Sequence, residues 1–305
     1  MSIQYKRILK PIRLASLFVS LAPFFLIAQI QEQISPLVST PLEQQYALKT
    51  SALGDTISLP ISIQNEVLNR IHKNYGIADF NTLIHRNDMM LYNHIVHYYG
   101  DTAKAVSSYF EVGVSAAKMI SDKLNTPDFK NVLDFGSGYG RVSRFLPYYF
   151  KDAQIQVSEV KPIAMEFQKE AFEFGTITHT EIASSFKSDP QDLIIGISVF
   201  THIPVKAFIE WLDILFQNLK ENGQLIFTFN DINKCPFGNN GKYHYQEQSE
   251  DSSNSGIPDK LDDVSQYGST FYSQDYIIEL LQVHSNKIEI TRNFIGTHDA
   301  VILTR

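Results

Sequence analysis

Val132-Leu-Asp-Phe-Gly-Ser-Gly-Tyr-Gly-Arg-Val142 decides the fold: an apolar run that ends in an acid and passes into a turn with three glycines. Asn131–Phe135 has the length and composition of a short buried strand, and the pattern from Arg141 to Phe150 predicts a helix behind the turn. Glycines 136, 138 and 140 let the backbone bend sharply and lie against a ligand, with amides at a helix start offered to it. The spacing differs from the dinucleotide fingerprint G-x-G-x-x-G, because the third glycine comes one residue sooner. Asp134, which closes the strand, would repel a pyrophosphate and attract a cation. The turn therefore suits a positively charged ligand.

Downstream, Gln154–Ser158 reads as a second strand and Pro162–Phe174 as a second helix. Glu159 ends that strand nineteen residues after Gly140, where a carboxylate can accept both hydroxyls of a ribose. Alone it would be an ordinary solvated acid; the glycine turn at that separation favours the ribose. The alternation continues with strands near 176–179, 192–200 and 224–229, helices at 205–219 and 273–283, and closing strands at 287–291 and 300–303. Strands alternating with helices predict a mostly parallel sheet covered on both faces. The last two strands are separated by only about eight residues, too few for a crossover helix, so they should pair antiparallel.

Upstream, residues 61–110 carry apolar positions at helical spacing and Ala116–Leu124 reads as a further helix, whereas 36–60 is polar and rich in Pro, Ser and Thr. Residues 231–270 interrupt the strand–helix alternation with a polar insertion that includes Glu-Gln-Ser-Glu-Asp-Ser-Ser-Asn-Ser-Gly at 247–256. The expected organisation is a leader at 1–35, a linker and helical cap at 36–111, and an α/β domain at 112–305 with the insertion inside it.

With 305 residues, 44% apolar and 19% charged, the chain can bury a sizeable core. Its formal net charge is −7, and the first thirteen residues hold Lys6, Arg7, Lys10 and Arg13 without an acid, so the remainder stands at −11. So acidic a body argues against nucleic acid as a partner. A single cysteine, Cys235, excludes an intrachain disulfide and a multi-cysteine metal site.

Behind those cations, residues 14–30 are uncharged and mostly apolar, with Pro23 in the middle. Seventeen residues of helix would span about 25 Å, short of a ~30 Å hydrocarbon core. A signal peptide, an interfacial helix and a helix packed on the domain are the competing readings; the reading adopted is peripheral contact through residues 1–30 with the inner face of a membrane, the domain staying in the cytoplasm.

Val132–Gly140 resembles the first motif of class I S-adenosylmethionine-dependent methyltransferases. Ile197-Ser-Val-Phe-Thr-His-Ile203, Trp211-Leu and Leu219-Lys-Glu-Asn-Gly-Gln-Leu-Ile-Phe227 are similar to their fourth-strand, helix and fifth-strand segment. Tyr267–Tyr272 and His298–Leu303 resemble the end of that domain, so the likeness covers roughly residues 112–305. It implies a Rossmann-like, seven-stranded, mostly parallel sheet with an antiparallel last hairpin, beside the N-terminal helical cap read above. It also implies S-adenosyl-L-methionine as cofactor. The basic, Pro-interrupted leader ahead of such a domain resembles, by analogy, those of methyltransferases of surface-polysaccharide or lipid pathways, so the expected acceptor is a small molecule or a glycan- or lipid-linked one, methylated at oxygen. Carried over by position, Asp134, Gly136 and Gly138, with Phe135 and Ser137 in the same turn, would surround the amino acid part of the cofactor. Glu159 would hold the ribose, Val160 would lie near the adenine, and Ser198 with Phe200 would border the sulfonium. The Thr180–Ser184 stretch departs from the family, giving no clear second acid.

His202 follows the fourth strand of the domain, where such folds place their ligands, and could take the proton of a hydroxyl nucleophile or merely order its loop. His94 and His97 share a helical face, but two imidazoles fall short of a zinc ligand set, and no metal is expected. Arg141 and Arg144 read as surface or packing residues, and Tyr139 as a shield of the cofactor or a turn residue. A cofactor-binding scaffold without turnover and a nicotinamide-dependent oxidoreductase are the alternatives; the second wants the longer glycine spacing.

Overall fold

The computed structural model describes residues 52–124, 128–179, 182–238, 241–247 and 268–305. The leader, most of the linker and residues 248–267 of the insertion lie outside them. Among these residues, eleven strands form one two-stranded bridge and one large sheet. Strand β1 (Thr56–Ile57) pairs with β2 (Ile84–His85) in the cap. The sheet comprises β3 (Asn131–Phe135), β4 (Gln154–Glu159), β5 (Gly175–Thr178), β6 (Gln191–Gly196), β7 (Leu219–Asp231), β8 (Tyr243–Glu247), β9 (Gly268–Tyr272), β10 (Ile288–Ile295) and β11 (His298–Thr304). Seven of these run in the order β10-β11-β7-β6-β3-β4-β5, and β8 and β9 extend the far end of β7.

Strands β3 to β7 pair parallel, while β11 is antiparallel to β7 and β10 to β11, as the short final connection requires. Chain order runs outward from β3 through β4 to β5, then returns to the other side of β3 as β6. This reversal opens a crevice beyond the carboxyl ends of β3 and β6, the place where open α/β sheets bind ligands.

Side-chain alternation divides the core into two layers. Val132, Leu193, Ile195, Ile226 and Ile302 face one side, and Leu133, Ile194, Leu225, Phe227, Val301 and Leu303 the other. The first face is covered by the cap helices α1 (Ile61–Tyr75), α2 (Met89–His97) and α3 (Thr102–Lys123). The second face is covered by later helices. After α4 (Leu146–Tyr149) and α5 (Pro162–Phe172) come α6 (Val205–Gln217) and α7 (Gln274–Leu281), of which α6 and α7 pack here through Phe208, Trp211, Leu215 and Ile277.

Asp101 caps α3, accepting from the Lys104 amide at 2.9 Å, and a continuous buried face from Ala105 to Ile120 holds it on the sheet. The helix expected at 116–124 is thus the second half of a 22-residue one. The helix expected from Arg141 to Phe150 is a 3-10 turn at Ser143–Phe145 followed by the single turn α4. Ser143 and Arg144 there point their side chains back into the glycine turn, and Pro147 has no amide to extend a helix backwards. The insertion is not featureless: β8 and β9 pair with each other, and β9 continues parallel from the end of β7.

Candidate functional site

The glycine turn after β3 is tied to the end of β4. The amides of Gly136 and Ser137 both donate to the Ser158 carbonyl, at 2.8 and 3.0 Å. Gln168 of α5 donates from Nε2 to Ser137 Oγ and to the Gly138 carbonyl, each at 2.8 Å. Gly136 and Gly138 have φ of 68° and 57°, a region that favours glycine. A Cβ on Gly136 would meet Val199 Cγ2 at 2.4 Å, so this position is filled by protein. A Cβ on Gly138 would meet nothing within 4 Å: here the backbone faces open space.

Two carboxylates stand at this opening. Glu159 accepts from the Gly138 amide at 2.9 Å and from the Val160 amide at 2.8 Å, which fixes its head at the crevice with lone pairs to spare. Asp134 is buried, accepts from Ser143 Oγ at 2.5 Å, and is pushed up to about 7, mainly by burial and further by the charge of Glu159, against the Ser143 hydrogen bond. A buried acid raised this far gains from a cation beside it. The open face at Gly138, the acid at Asp134 and the acceptor at Glu159 fit a ligand with a positive charge and a ribose.

Among the other residues expected at the site, Val160 is half-buried and contributes its amide to Glu159. Phe135 and Phe200 send their rings into the aromatic core: Phe135 stacks on His179 and Phe200 packs edge-on against Phe208 and Phe227. Ser198 has φ of 60°, uncommon outside glycine, and donates its amide to Thr228 Oγ1 at 2.7 Å. Its hydroxyl lies 3.2 Å from Nδ1 of His298.

His202 donates from Nδ1 to the Gly268 carbonyl at 2.8 Å, a bond that favours the Nε2-basic tautomer. Its loop is zipped to β9, since Gly268 and Thr270 donate their amides to the carbonyls of His202 and Thr201. Burial pulls His202 below the ordinary imidazole range, opposed by the Gly268 carbonyl. His298 is lowered by burial too, then by the charges of His202 and Lys234.

The cap reaches the same place. Tyr139 is buried and stacks on His85 of β2, with centroids 4.6 Å apart. Arg144 is buried rather than on the surface, and its guanidinium donates to the carbonyls of Asn81, Leu83, Tyr139 and Gly140. It thereby joins cap and glycine turn through one side chain. Arg141 lies between His94 of α2 and Tyr109 of α3, with Nη1 3.5 Å from His94 Nε2. Among the described residues no group of three or more metal-ligating side chains occurs, and His94 faces Arg141 rather than a metal ligand set.

His298 was not singled out from sequence. The signal was available in the topology: an antiparallel last strand begins where the parallel strands end, and pairing of Asp299 with Phe229 sets His298 beside the end of β7.

An acid-ended strand β3, a glycine turn open at Gly138 and an acid ending β4 form a parallel α/β site of the kind that fits a cationic nucleoside. A family model for a methyltransferase domain matches residues 115–267, half of the chain. The chain belongs to this methyltransferase family, of the class I S-adenosylmethionine-dependent type. A crystal structure from Nostoc punctiforme, described as a candidate O-methyltransferase, is 12% identical with a TM-score of 0.52, covering 97% of this chain and all of that one. An S-adenosylmethionine-dependent methyltransferase from Clostridium acetobutylicum is 16% identical with a TM-score of 0.48, covering 70% of this chain and 98% of its own. No curated protein sequence matches the chain.

Proposed function

We propose that the protein transfers a methyl group from S-adenosylmethionine to an oxygen of a small-molecule or glycan- or lipid-linked acceptor. The observation that carries the reading is the open Gly138 backbone between Asp134 and Glu159. When bound, S-adenosylmethionine supplies an electrophilic methyl group on a sulfonium. Asp134 would face its positive charge and Glu159 its ribose, with the turn around Gly136, Ser137 and Gly138 against the amino acid part. The work of the chain in such a displacement is alignment and exclusion of water. His202, with Nδ1 held by Gly268, would take the acceptor's proton at Nε2. The half-buried Ser198 beside His298 would border the acceptor.

The basic leader supports peripheral contact with an anionic membrane face, which would bring a lipid-linked acceptor within reach. No helix among the described residues is long and apolar enough to cross a membrane, and the leader lies outside them. Calorimetry of the purified chain against S-adenosylhomocysteine and NAD tests the cofactor reading. Saturable binding of the first and none of the second is expected; the reverse would overturn it. A labelled-methyl screen of cell extracts then separates turnover from a binding scaffold.

A further inference from the structure

Two elements bring nitrogen groups together, α2 with His94 and the end of the glycine turn with Arg141, whose Nη1 lies 3.5 Å from His94 Nε2; His298, at the start of β11 beside Ser198, also feels the charge of Arg141. The other cations near this face are already engaged. Lys234 donates to Asp299, Asn293 and the Thr297 carbonyl, Arg292 pairs with Asp231 and Asp299, and Arg144 is held by backbone carbonyls. Arg141 is half-buried and has no carboxylate within ion-pair distance among the described residues; its contacts are His94 Nε2 and the Tyr109 ring, 6.0 Å away.

Arg141 helps depress His94, which burial chiefly brings down to about 4, and adds the smallest of the lowering effects on His298, after burial and the charges of His202 and Lys234. Asp134, on the cofactor side, is governed by burial, Ser143 and Glu159 instead. A guanidinium held against a neutral imidazole and an aromatic ring, in a crevice that excludes part of its water, is a receptor for a planar anion.

We propose that Arg141, held against His94 and the Tyr109 ring, binds an anionic group of the acceptor, a carboxylate or a phosphate, beside the methyl-transfer position. This rests on the methyltransferase reading. It narrows the acceptor to a molecule that carries a negative charge a short distance from the hydroxyl to be methylated. The cofactor's own carboxylate is the competing source of the same chemistry, and the test separates the two.

The full chain, loaded with S-adenosylhomocysteine, is titrated with inorganic phosphate and, separately, with acetate, following the imidazole resonances of His94 and His298. Saturable millimolar binding is expected in the wild type, weakened about tenfold or more in Arg141→Gln and partly restored in Arg141→Lys. Affinity for S-adenosylhomocysteine should stay within about threefold in all three proteins, a change well below that of losing a charged hydrogen bond. No saturable response in the loaded wild type, or equal anion binding by Arg141→Gln, would overturn the proposal. A tenfold loss of S-adenosylhomocysteine affinity in Arg141→Gln would assign the guanidinium to the cofactor's carboxylate and overturn it as well. If S-adenosylhomocysteine fails to bind the wild type at all, it is the methyltransferase reading that falls.

Discussion

On the proposed reading, Asp134 should couple cofactor binding to pH. Its folded-state value is raised from 3.8 to about 7, so across that interval the folded chain holds a proton that the unfolded chain has released. The sign follows: ionisation of Asp134 lowers fold stability as pH rises through this window, and the loss is complete above about 7. A cation beside the carboxylate favours its ionised form, so affinity for S-adenosylmethionine should rise by up to about tenfold per pH unit below the folded value and level off above it. Asp134→Asn, still an acceptor for Ser143 but unable to ionise, should bind more weakly at pH 8 and lose the slope without losing stability there. Calorimetry between about pH 6 and 8 checks this; His94, brought down to about 4, protonates below that range, and burial lowers His202 and His298 from the ordinary imidazole value. Retention of the slope in Asp134→Asn would remove Asp134 from the linkage. At His202 the question is turnover. If it serves as base, His202→Asn should slow methyl transfer by roughly 10²–10⁴ with cofactor affinity nearly unchanged. Full activity would leave it as the residue that fastens its loop to Gly268.

At the scale of elements, the crevice is held in shape by α3 and the cap. Gly113 of α3 stands so close to the turn that a Cβ there would lie 2.1 Å from the Arg141 carbonyl oxygen, a backbone atom that cannot swing aside. Alanine normally stabilises a helix interior by about 1 kcal/mol over glycine. Here Gly113→Ala should do the opposite, lowering the melting temperature and weakening S-adenosylhomocysteine binding together, because the helix must back away from the glycine turn. An Ala variant as stable as the wild type would show that α3 and the turn move independently. Arg144 makes the same joint from the other side. Arg144→Lys keeps the charge but loses the fork that spans four carbonyls, so it should weaken cofactor binding by about tenfold while melting cooperatively. The strand–turn–helix order, the antiparallel hairpin and the acids at the strand ends were legible because they depend on neighbours in sequence. The joint was not: Arg144 reaches the Asn81 and Leu83 carbonyls 63 and 61 residues away, and His298 meets Ser198 across 100. Only once the return of β11 alongside β7 is known do such partners follow. The helix expected after the glycines is shortened to a 3-10 turn and a single α turn for a related reason, since the polar side chains of Ser143 and Arg144 satisfy the turn instead of facing solvent.

The whole chain is electrostatically divided, with four cations in its first thirteen residues and a net −11 in the rest. An acidic body is repelled by an anionic surface, so any attraction must come from the leader, and it should be lost when salt screens it. Each basic residue near an anionic bilayer contributes about 1 kcal/mol, so the four together supply roughly a thousandfold in partitioning, to which the apolar stretch behind them adds. The full chain should therefore sediment with vesicles containing anionic lipid and much less with neutral ones. Replacing Lys6, Arg7, Lys10 and Arg13 by Gln should release it from the anionic vesicles while S-adenosylhomocysteine affinity stays the same, because the residues proposed to hold the cofactor lie in the turn after β3 and at the end of β4. Equal sedimentation of the wild type and the quadruple variant with anionic vesicles would attribute the contact to the apolar stretch alone. No sedimentation of either would separate this enzyme from the membrane and favour a freely diffusing acceptor over a lipid-linked one.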